Sequence, residues 1–302
     1  MSSNIGYHFV KKFSNQGKQG VAGIVKDDNG NEHVFKTSRI LNFLMKHEYK
    51  IMESLSKLCC PHFCKSRALI NHFVDVDFRK KSNLFESSED VLTTDTLIME
   101  YLPYRSFYSS IRNKEISDDV IYSCIKQVLI GMRFAQLRSK FTHYDLHSSN
   151  ILMTPCNPDN VHVYLLDNTC ICIPTHGYYP KIIDYGFSYC DSLKGEGIYS
   201  TLAHTNVGFM TNRYDPLADA KLFLLTSSDE LNNARLSSKI STFRKMCRNI
   251  FSPLRLTFSP ARGSNCLNKK PIKIIINEAI AARTCALSSS GVIVSIEKKF
   301  TI

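Results

Sequence analysis

The chain lacks the long apolar segments that membrane and secreted proteins carry. No run approaches the roughly 20 apolar residues of a membrane-spanning helix, and the N-terminal sequence MSSNIGYHFVKKF has no stretch like the apolar part of a signal peptide. Internal repeats and low-complexity tracts are absent too. With 302 residues, of which 43% are apolar and 22% charged, we expect a soluble globular protein inside the cell, without membrane contact.

The sequence also lacks the ligand pairs of a zinc site. The cluster of Cys59, Cys60, His62 and Cys64 has no second pair of ligands at a zinc-like distance. The eleven cysteines are scattered and odd in number, which favours reduced thiols in the cytoplasm or the nucleus.

Signatures of nucleic-acid-binding modules are missing as well. The formal net charge of +11 would favour polyanionic partners, but the basic residues are interspersed with acidic and apolar ones. No zinc finger or RNA-recognition motif occurs. We therefore do not expect direct binding of nucleic acid, and acidic or chromatin-associated protein partners fit the charge better.

Hydrophobic periodicity predicts a β-rich beginning and a mainly helical remainder. Residues 5–36 alternate apolar and polar positions around glycines, and the turn sequence DNGN at 28–31 predicts a β-hairpin. Apolar stripes with helical spacing predict helices at about 40–58, at 118–139 and from Asp219 to about 250. Strands are predicted at 96–102, 161–166, 170–173, 181–183 and, in a C-terminal part without a clear assignment, 291–296.

Two motifs in the middle of the chain indicate phosphoryl transfer. Residues 143–150 have the sequence HYDLHSSN, and Asp184 follows 34 residues beyond Asn150, in the sequence IIDYG. Transfer of a phosphoryl group from a nucleotide needs a carboxylate near the acceptor hydroxyl and oxygen ligands for Mg²⁺. HYDLHSSN resembles the catalytic loop H-R-D-L-x-x-x-N of protein kinases, and DYG resembles their D-F-G motif.

The resemblance to protein kinases implies a role for each residue of these motifs. Asp145 would accept the proton of the substrate hydroxyl, and Asn150 and Asp184 would bind Mg²⁺. His147 takes the position usually held by a lysine, so its contact with the γ-phosphate would depend on its protonation or hydrogen bonding. Leu152 would form the floor of the adenine pocket.

A lysine and a glutamate in the first fifty residues match the phosphate-binding pair of the same family. Lys36 ends the strand sequence HVFK in the manner of the kinase sequence V-A-I-K, and Glu48 lies in the helix that follows. Their ion pair would orient Lys36 toward the α- and β-phosphates of ATP. The gap of twelve residues between them is short, so Glu53 is the weaker, alternative partner.

Further resemblances surround the expected ATP pocket. Gly20, Gly23 and Val25 match the second half of the glycine-rich motif G-x-G-x-x-G-x-V, although Lys18 replaces its first glycine and Gly17 is one residue out of register. The sequence TLIMEYL at 96–102 resembles the hinge strand. The resemblance assigns these further residues to the ATP site: Val34, Met99 as gatekeeper, and Glu100, Tyr101 and Leu102 with backbone contacts to adenine.

Several departures from the common kinase pattern narrow the resemblance. Three features are similar to haspin-type atypical kinases: the sequence D-L-H in the catalytic loop, the tyrosine after the metal-binding aspartate, and a hairpin-like insert between the two motifs. Compact kinases of large DNA viruses have a similarly reduced kinase pattern. Asp219 would anchor the catalytic loop, as the corresponding aspartate does in that family. Tyr144 replaces the arginine that pairs with a phosphate on the activation loop, so we expect activity without phosphorylation of this loop.

The resemblance implies an α+β, bilobal protein-kinase-like fold. A small β-rich N-lobe and hinge would occupy residues 1–102, and a mainly helical C-lobe residues 103–302, with an extension of unknown role from about 253. The implied function is that of an ATP- and Mg²⁺-dependent serine/threonine protein kinase, with a histone or another chromatin-associated protein as a possible substrate.

Two alternatives remain open. The altered glycine-rich motif and the absence of an A-P-E sequence are compatible with a pseudokinase that acts as a binding module. A small-molecule kinase of the aminoglycoside or choline type would usually carry a second metal-binding acid two residues after the first. This chain has Gly186 at that position, which favours the protein-kinase pattern.

Overall fold

A computed structural model describes most of the chain and divides it into two compact units. The described residues are 6–14, 20–38, 43–75, 91–166, 169–194, 213–234, 237–251, 284–285 and 293–296. The first unit comprises Met1–Pro103, Ser139–Tyr144 and Ile183–Tyr214. The second unit comprises Tyr104–Arg138, Asp145–Ile182 and Asp215–Ile302.

The first unit contains a five-stranded antiparallel sheet and one helix. The strands are β1 (Tyr7–Lys12), β2 (Gly20–Asp27), β3 (Glu32–Ser38), β4 (Ser66–Asp75) and β5 (Val91–Glu100), in the order β1-β2-β3-β5-β4. Helix α1 (Phe43–Ser56) lies between β3 and β4 in sequence and buries Met45, Ile51, Met52 and Leu55. The expected α+β character is therefore present, with a β-rich beginning.

Strand β5 differs from its predicted bounds at both ends. It begins at Val91, five residues before the predicted start, and it ends at Glu100 rather than at 102. Pro103 accounts for the early end, because a proline has no N–H for the ladder and restricts the conformation of the residue before it. Residues 101–103 are irregular.

The second unit contains the long predicted helix and a β-hairpin that packs against it. Helix α2 (Phe107–Arg112) is short, and α3 covers Asp118–Ser139, the predicted range. Strands β7 (Val161–Leu166) and β8 (Thr169–Pro174) form the hairpin. Their apolar side chains join those of α3 in one buried cluster, which consists of Ile130, Phe134, Tyr164, Ile171 and Ile173.

The second unit also contains two small sheets and two further helices. Strand β6 (Ile151–Pro155) pairs with β9 (Tyr178–Ile182), and the helices are α4 (Ala218–Ala234) and α5 (Ser238–Phe251). Strands β10 (Thr284–Cys285) and β11 (Ile293–Ile296) pair with β8 and β7. β11 falls within the predicted run 291–296, whereas most of 253–302 lies outside the described residues.

The described residues contain neither a membrane-spanning helix nor a cluster of metal-binding side chains. No helix in the described parts is long and apolar enough to cross a bilayer. Cys59, Cys60, His62 and Cys64 do not come together as metal ligands, and no other group of three such side chains does so within the described ranges.

Candidate phosphoryl-transfer site

The first unit brings Lys36, Glu48 and Asp184 into one charged cluster. Lys36 Nζ donates hydrogen bonds to Glu48 Oε2 at 2.8 Å and to Asp184 Oδ1 at 2.6 Å. The Glu48 side chain is 1% exposed and that of Lys36 13%, whereas Asp184 is 38% exposed. Glu53, the alternative partner of Lys36, is exposed on α1. The ion pair therefore forms with Glu48, and Asp184 faces the more open side of the cluster.

The charges of this cluster hold Lys36 in its protonated form. Burial alone would lower the pKa of Lys36, but attraction to Asp184 and Glu48 outweighs it, and the pKa is raised above its ordinary value. Burial raises the pKa of Glu48, an effect that Lys36 and the backbone N–H of Tyr185 oppose. A cation and a partly exposed carboxylate are thus held side by side.

The backbone at Asp184 is in a conformation that L-residues rarely adopt. Its φ is +65°, in the left-handed region. Such a residue costs on the order of 1–3 kcal/mol and persists only when its surroundings determine it. The neighbouring Tyr185 supplies one restraint, because its N–H donates to Glu48 Oε1 at 3.1 Å. Glu48 therefore holds both the lysine and the chain that carries Asp184.

The segment 139–144 pairs with the chain that follows Asp184. Thr142 and Tyr189 exchange two backbone hydrogen bonds of 3.0 and 2.7 Å. His143 is fully buried and its Nε2 donates to the carbonyl of Ile183 at 3.0 Å. Tyr144 also has a positive φ, +64°, and its hydroxyl donates to the carbonyl of Arg213. Tyr144 and Asp184 are two of six non-glycine residues with a positive φ in the described parts of the chain, and each lies in one of the two predicted motifs.

The second unit contains the rest of the loop with Asp145. Asn150 Nδ2 donates to the backbone oxygen of Asp145 at 2.9 Å and to its carboxylate at 3.3 Å. The Ser149 N–H donates to His147 Nδ1 at 3.3 Å, so the proton of a neutral His147 imidazole lies on Nε2. That atom is 3.6 Å from Asp145 Oδ1. The loop therefore orders its own polar side chains.

Glu230 supports this loop from α4. Ser148 Oγ donates to Glu230 Oε1 at 2.7 Å. Burial raises the pKa of Glu230, and Ser148 and His147 oppose the shift. Asp219, at the start of the same helix, is completely buried. Glu230 could not be recognised from the sequence, because it lies 82 residues from Ser148 and belongs to no recognised motif.

The strand register places Val25 on the face of the sheet opposite to that of Lys36. Val34 lies opposite Ile24, and Lys36 opposite Ala22. Directly opposed residues share one face of a sheet, and successive residues alternate, so Val25 is on the other face. There it is fully buried in a cluster with Val21, Phe35 and Ile98. Ile24 is opposite Val34 and therefore lies on the face of the sheet that carries Lys36, although the motif comparison did not include it.

The two glycines of β2 have a structural role inside the sheet. A Cβ atom at Gly20 would lie 2.5 Å from the carbonyl oxygen of Thr37, and one at Gly23 2.1 Å from that of Lys11. No other residue fits at these positions without movement of the backbone. Gly17 and Lys18, the other half of the predicted motif, lie outside the described residues.

The residues of the predicted hinge lie at the end of β5 and just after it. Met99 lies opposite Val34 across the β3–β5 pair, on the face that carries Lys36. The N–H of Glu100 donates to the carbonyl of Lys65, and its carboxylate accepts from the N–H of Lys65 at 2.8 Å. The Glu100 N–H is therefore engaged, and backbone donors for adenine would have to come from Tyr101 or Leu102. Leu152, in the second unit, is half-buried in β6.

Similar proteins occur in iridoviruses. The chain is 28% identical over 286 residues to "Uncharacterized protein 098R" of Invertebrate iridescent virus 6, covering 72% of this chain and 47% of that protein. It is 26% identical over 239 residues to "Probable kinase 098L" of Invertebrate iridescent virus 3, covering 76% of this chain and 40% of that protein. A second protein of that virus, "Uncharacterized protein 038R", is 26% identical over 208 residues, covering 64% and 37%.

These similarities are distant, and no family model matches the chain. The chain spans less than half the length of these viral relatives. One of the three relatives is named as a probable kinase.

Proposed function

We propose that this chain is an ATP-dependent serine/threonine protein kinase with a bilobal, haspin-like fold. The N-lobe and hinge would correspond to residues 1–102 and the C-lobe to 103–302. The observation that supports this most strongly is the cluster of Lys36, Glu48 and Asp184, in which residues 148 positions apart meet at hydrogen-bond distance. A lysine held charged by two carboxylates is suited to bind nucleotide phosphates.

The proposed reaction uses a small set of side chains. Lys36 would bind the α- and β-phosphates, with Glu48 keeping it in place, and Asp145 would accept the proton of the attacking hydroxyl. Asp184 and Asn150 offer a carboxylate and an amide oxygen, the ligand types that Mg²⁺ prefers, so their chemistry fits this ion. Bound Mg²⁺ would neutralise charge on the phosphates. His147 would contact the γ-phosphate through Nε2–H.

The nucleotide base would lie on the apolar face next to Lys36. Ile24, Val34 and Met99 share that face of the sheet, and the resemblance adds Leu152. Tyr101 and Leu102 would supply the backbone contacts to adenine. We propose Ile24 in the role first given to Val25.

Activity would not require phosphorylation of the segment after Asp184. In protein kinases that need it, the added phosphate pairs with an arginine at the position of Tyr144. Here the Tyr144 hydroxyl donates to the backbone of Arg213 instead, which ties the end of this segment without a phosphate. The proposed site of action is the interior of the host cell, with an acidic or chromatin-associated protein, such as a histone, as substrate.

The test is Mg²⁺-dependent transfer of labelled γ-phosphate from ATP to histones and to acidic and basic acceptor proteins. We expect transfer by the unmodified chain and a loss of at least about 100-fold in Asp145→Asn and Asp184→Asn. Asp159→Asn is the matched control, because Asp159 is an exposed aspartate in a turn and its change should leave the rate unaltered.

The outcomes separate the alternatives. Label on serine or threonine supports the proposal, and label on tyrosine contradicts its specificity. Nucleotide binding without transfer to any protein favours the pseudokinase, whereas transfer to an aminoglycoside or choline only favours a small-molecule kinase. Activity that appears only after treatment with another kinase would refute independence from loop phosphorylation.

A further inference from the structure

The hydroxyl of Tyr185 has a partner far away in the sequence. It accepts a hydrogen bond from the backbone N–H of Cys64 at 3.0 Å. Tyr185 is fully buried and Cys64 is 3% exposed. A phenylalanine would fill nearly the same space, so packing alone does not explain a hydroxyl at this position. The hydroxyl instead satisfies a buried N–H that would otherwise have to find another partner.

Tyr185 is held on three sides within the first unit. Its N–H donates to Glu48 Oε1 at 3.1 Å. Its ring contacts those of Phe141 and His143, with centroids 6.3 and 5.5 Å away. The bond to Cys64 fixes the far end of the side chain. Backbone, ring and hydroxyl are therefore all restrained, each by a different part of the chain.

These restraints act directly on Asp184. Asp184 has a φ of +65°, a conformation that relaxes unless neighbouring contacts maintain it. Tyr185, the next residue, is restrained at both ends, because its N–H is bound to Glu48 and its hydroxyl to Cys64. Its carboxylate is thereby kept 2.6 Å from Lys36 Nζ.

We infer that the Tyr185 hydroxyl is a positioning group for Asp184, acting through its hydrogen bond to the Cys64 N–H. This inference rests on the proposed function, since it concerns the residue that would bind Mg²⁺ and the nucleotide phosphates. Loss of the hydroxyl leaves the ring in place, frees the Asp184–Gly186 chain to sample other conformations and reduces the fraction of molecules in which Asp184 faces Lys36.

The test compares Tyr185→Phe with Tyr189→Phe. Both variants lose one tyrosine hydroxyl from the same segment, but the hydroxyl of Tyr189 donates to the side chain of Asp191, two residues away. In Tyr185→Phe we expect amide hydrogen exchange in a peptide covering 184–188 to rise about 5- to 100-fold, the range for a buried donor left unsatisfied. Tyr189→Phe should change it by less than about twofold, and exchange in α3 should stay constant in both variants.

The second readout is the dissociation constant for Mg²⁺–ADP, which a purely structural role would not change. It should rise by a similar factor in Tyr185→Phe, while the KM for the protein substrate stays the same. Equal exchange in the two variants, or faster exchange with an unaltered dissociation constant, would overturn the inference. If the unmodified chain binds no nucleotide, the proposed function fails, and the exchange experiment still decides whether the hydroxyl fixes Asp184.

Discussion

At the scale of single residues, Glu48 is the most informative position. One carboxylate oxygen accepts from Lys36 and the other from the backbone of Tyr185. A buried carboxylate with two charged or polar donors is stable as an ion, whereas an unpaired one is costly. Glu48 therefore couples the proposed phosphate-binding lysine to the proposed metal-binding segment.

Replacement of this carboxylate by an amide should weaken both functions of the residue. In Glu48→Gln we expect a loss of about 2–4 kcal/mol in the free energy of unfolding, because Lys36 loses an ion pair in a buried setting. ATP affinity should fall about tenfold or more, since Lys36 is no longer oriented. Urea unfolding and nucleotide titration measure the two effects.

Glu53→Gln is the control for this substitution. It changes the same chemical group on the same helix at an exposed position, so stability and affinity should remain within about 0.5 kcal/mol of the starting values. Equal losses in both variants would contradict the role of Glu48.

The ion pairs of Lys36 also predict a pH dependence at alkaline pH. Because the pKa of Lys36 is raised in the folded protein, the contribution of its charge to stability is fully present below the unfolded pKa of about 10.4. This contribution is lost as the pH rises through the higher pKa of the folded protein.

At the scale of elements, the β7–β8 hairpin depends on a buried polar network. His162 Nδ1 donates to Gln127 Oε1 on α3 at 2.9 Å. The same oxygen accepts from the Tyr164 hydroxyl, and Gln127 Nε2 donates to Ser123. The amide orientation follows from these bonds, so His162 must carry a proton on Nδ1. The hairpin is thereby attached to the helix by polar as well as apolar contacts.

This network makes the hairpin sensitive to acid. Burial lowers the pKa of His162, so the folded protein keeps the imidazole neutral. Its contribution to stability is fully present above the unfolded pKa of about 6.5 and is lost as the pH falls through the folded value. Stability should decline by up to about 1.4 kcal/mol per pH unit below about 6.5 from this residue alone.

The comparison is between His162→Gln and His176→Asn. We expect His162→Gln to show a smaller loss of unfolding free energy between about pH 7 and about pH 5.5 than the unmodified chain, because the titrating group is gone. His176 is exposed in the turn that follows β8, and its replacement should leave the pH slope as it was. Parallel slopes for all three proteins would show that another group dominates the acid response.

At the scale of the whole molecule, nucleotide binding should appear as added stability. A ligand that binds only the folded protein stabilises it by RT ln(1 + [L]/Kd), about 2.7 kcal/mol at one hundred times the Kd. We expect Mg²⁺–ATP to raise the melting temperature and ATP with a chelator to raise it less, because the proposed binding of the phosphates depends on the metal ion.

The matched variants are Lys36→Met and Lys50→Met. Lys36→Met should abolish the shift, because the cation of the charged cluster is lost. Lys50→Met alters a half-buried lysine of the same unit, on α1, outside the proposed site, and should preserve the shift. A shift that survives in Lys36→Met, or one that does not depend on Mg²⁺, would contradict the proposed nucleotide site.

The sequence predicted where helices and strands lie more reliably than it predicted the face on which each side chain lies. The bounds of α3 and the β7–β8 hairpin follow from local periodicity and turn residues, which act over a few positions. Val25 shows the limit of this reasoning, because a motif alignment shifted by one residue moves a side chain to the opposite face of a strand. Only the pairing of β2 with β3 identifies Ile24 as the neighbour of Val34.

The sequence by itself determined the order of the motifs and the chemical types of the residues proposed for the site: a lysine, a glutamate, two aspartates and an asparagine. Tertiary structure alone decided that Lys36 pairs with Glu48 rather than Glu53, that Asp184 joins them, and that Tyr185 is bound to Cys64. The physical reason is that these contacts join positions up to 148 residues apart. Their existence depends on how strands and helices pack, which local sequence does not encode.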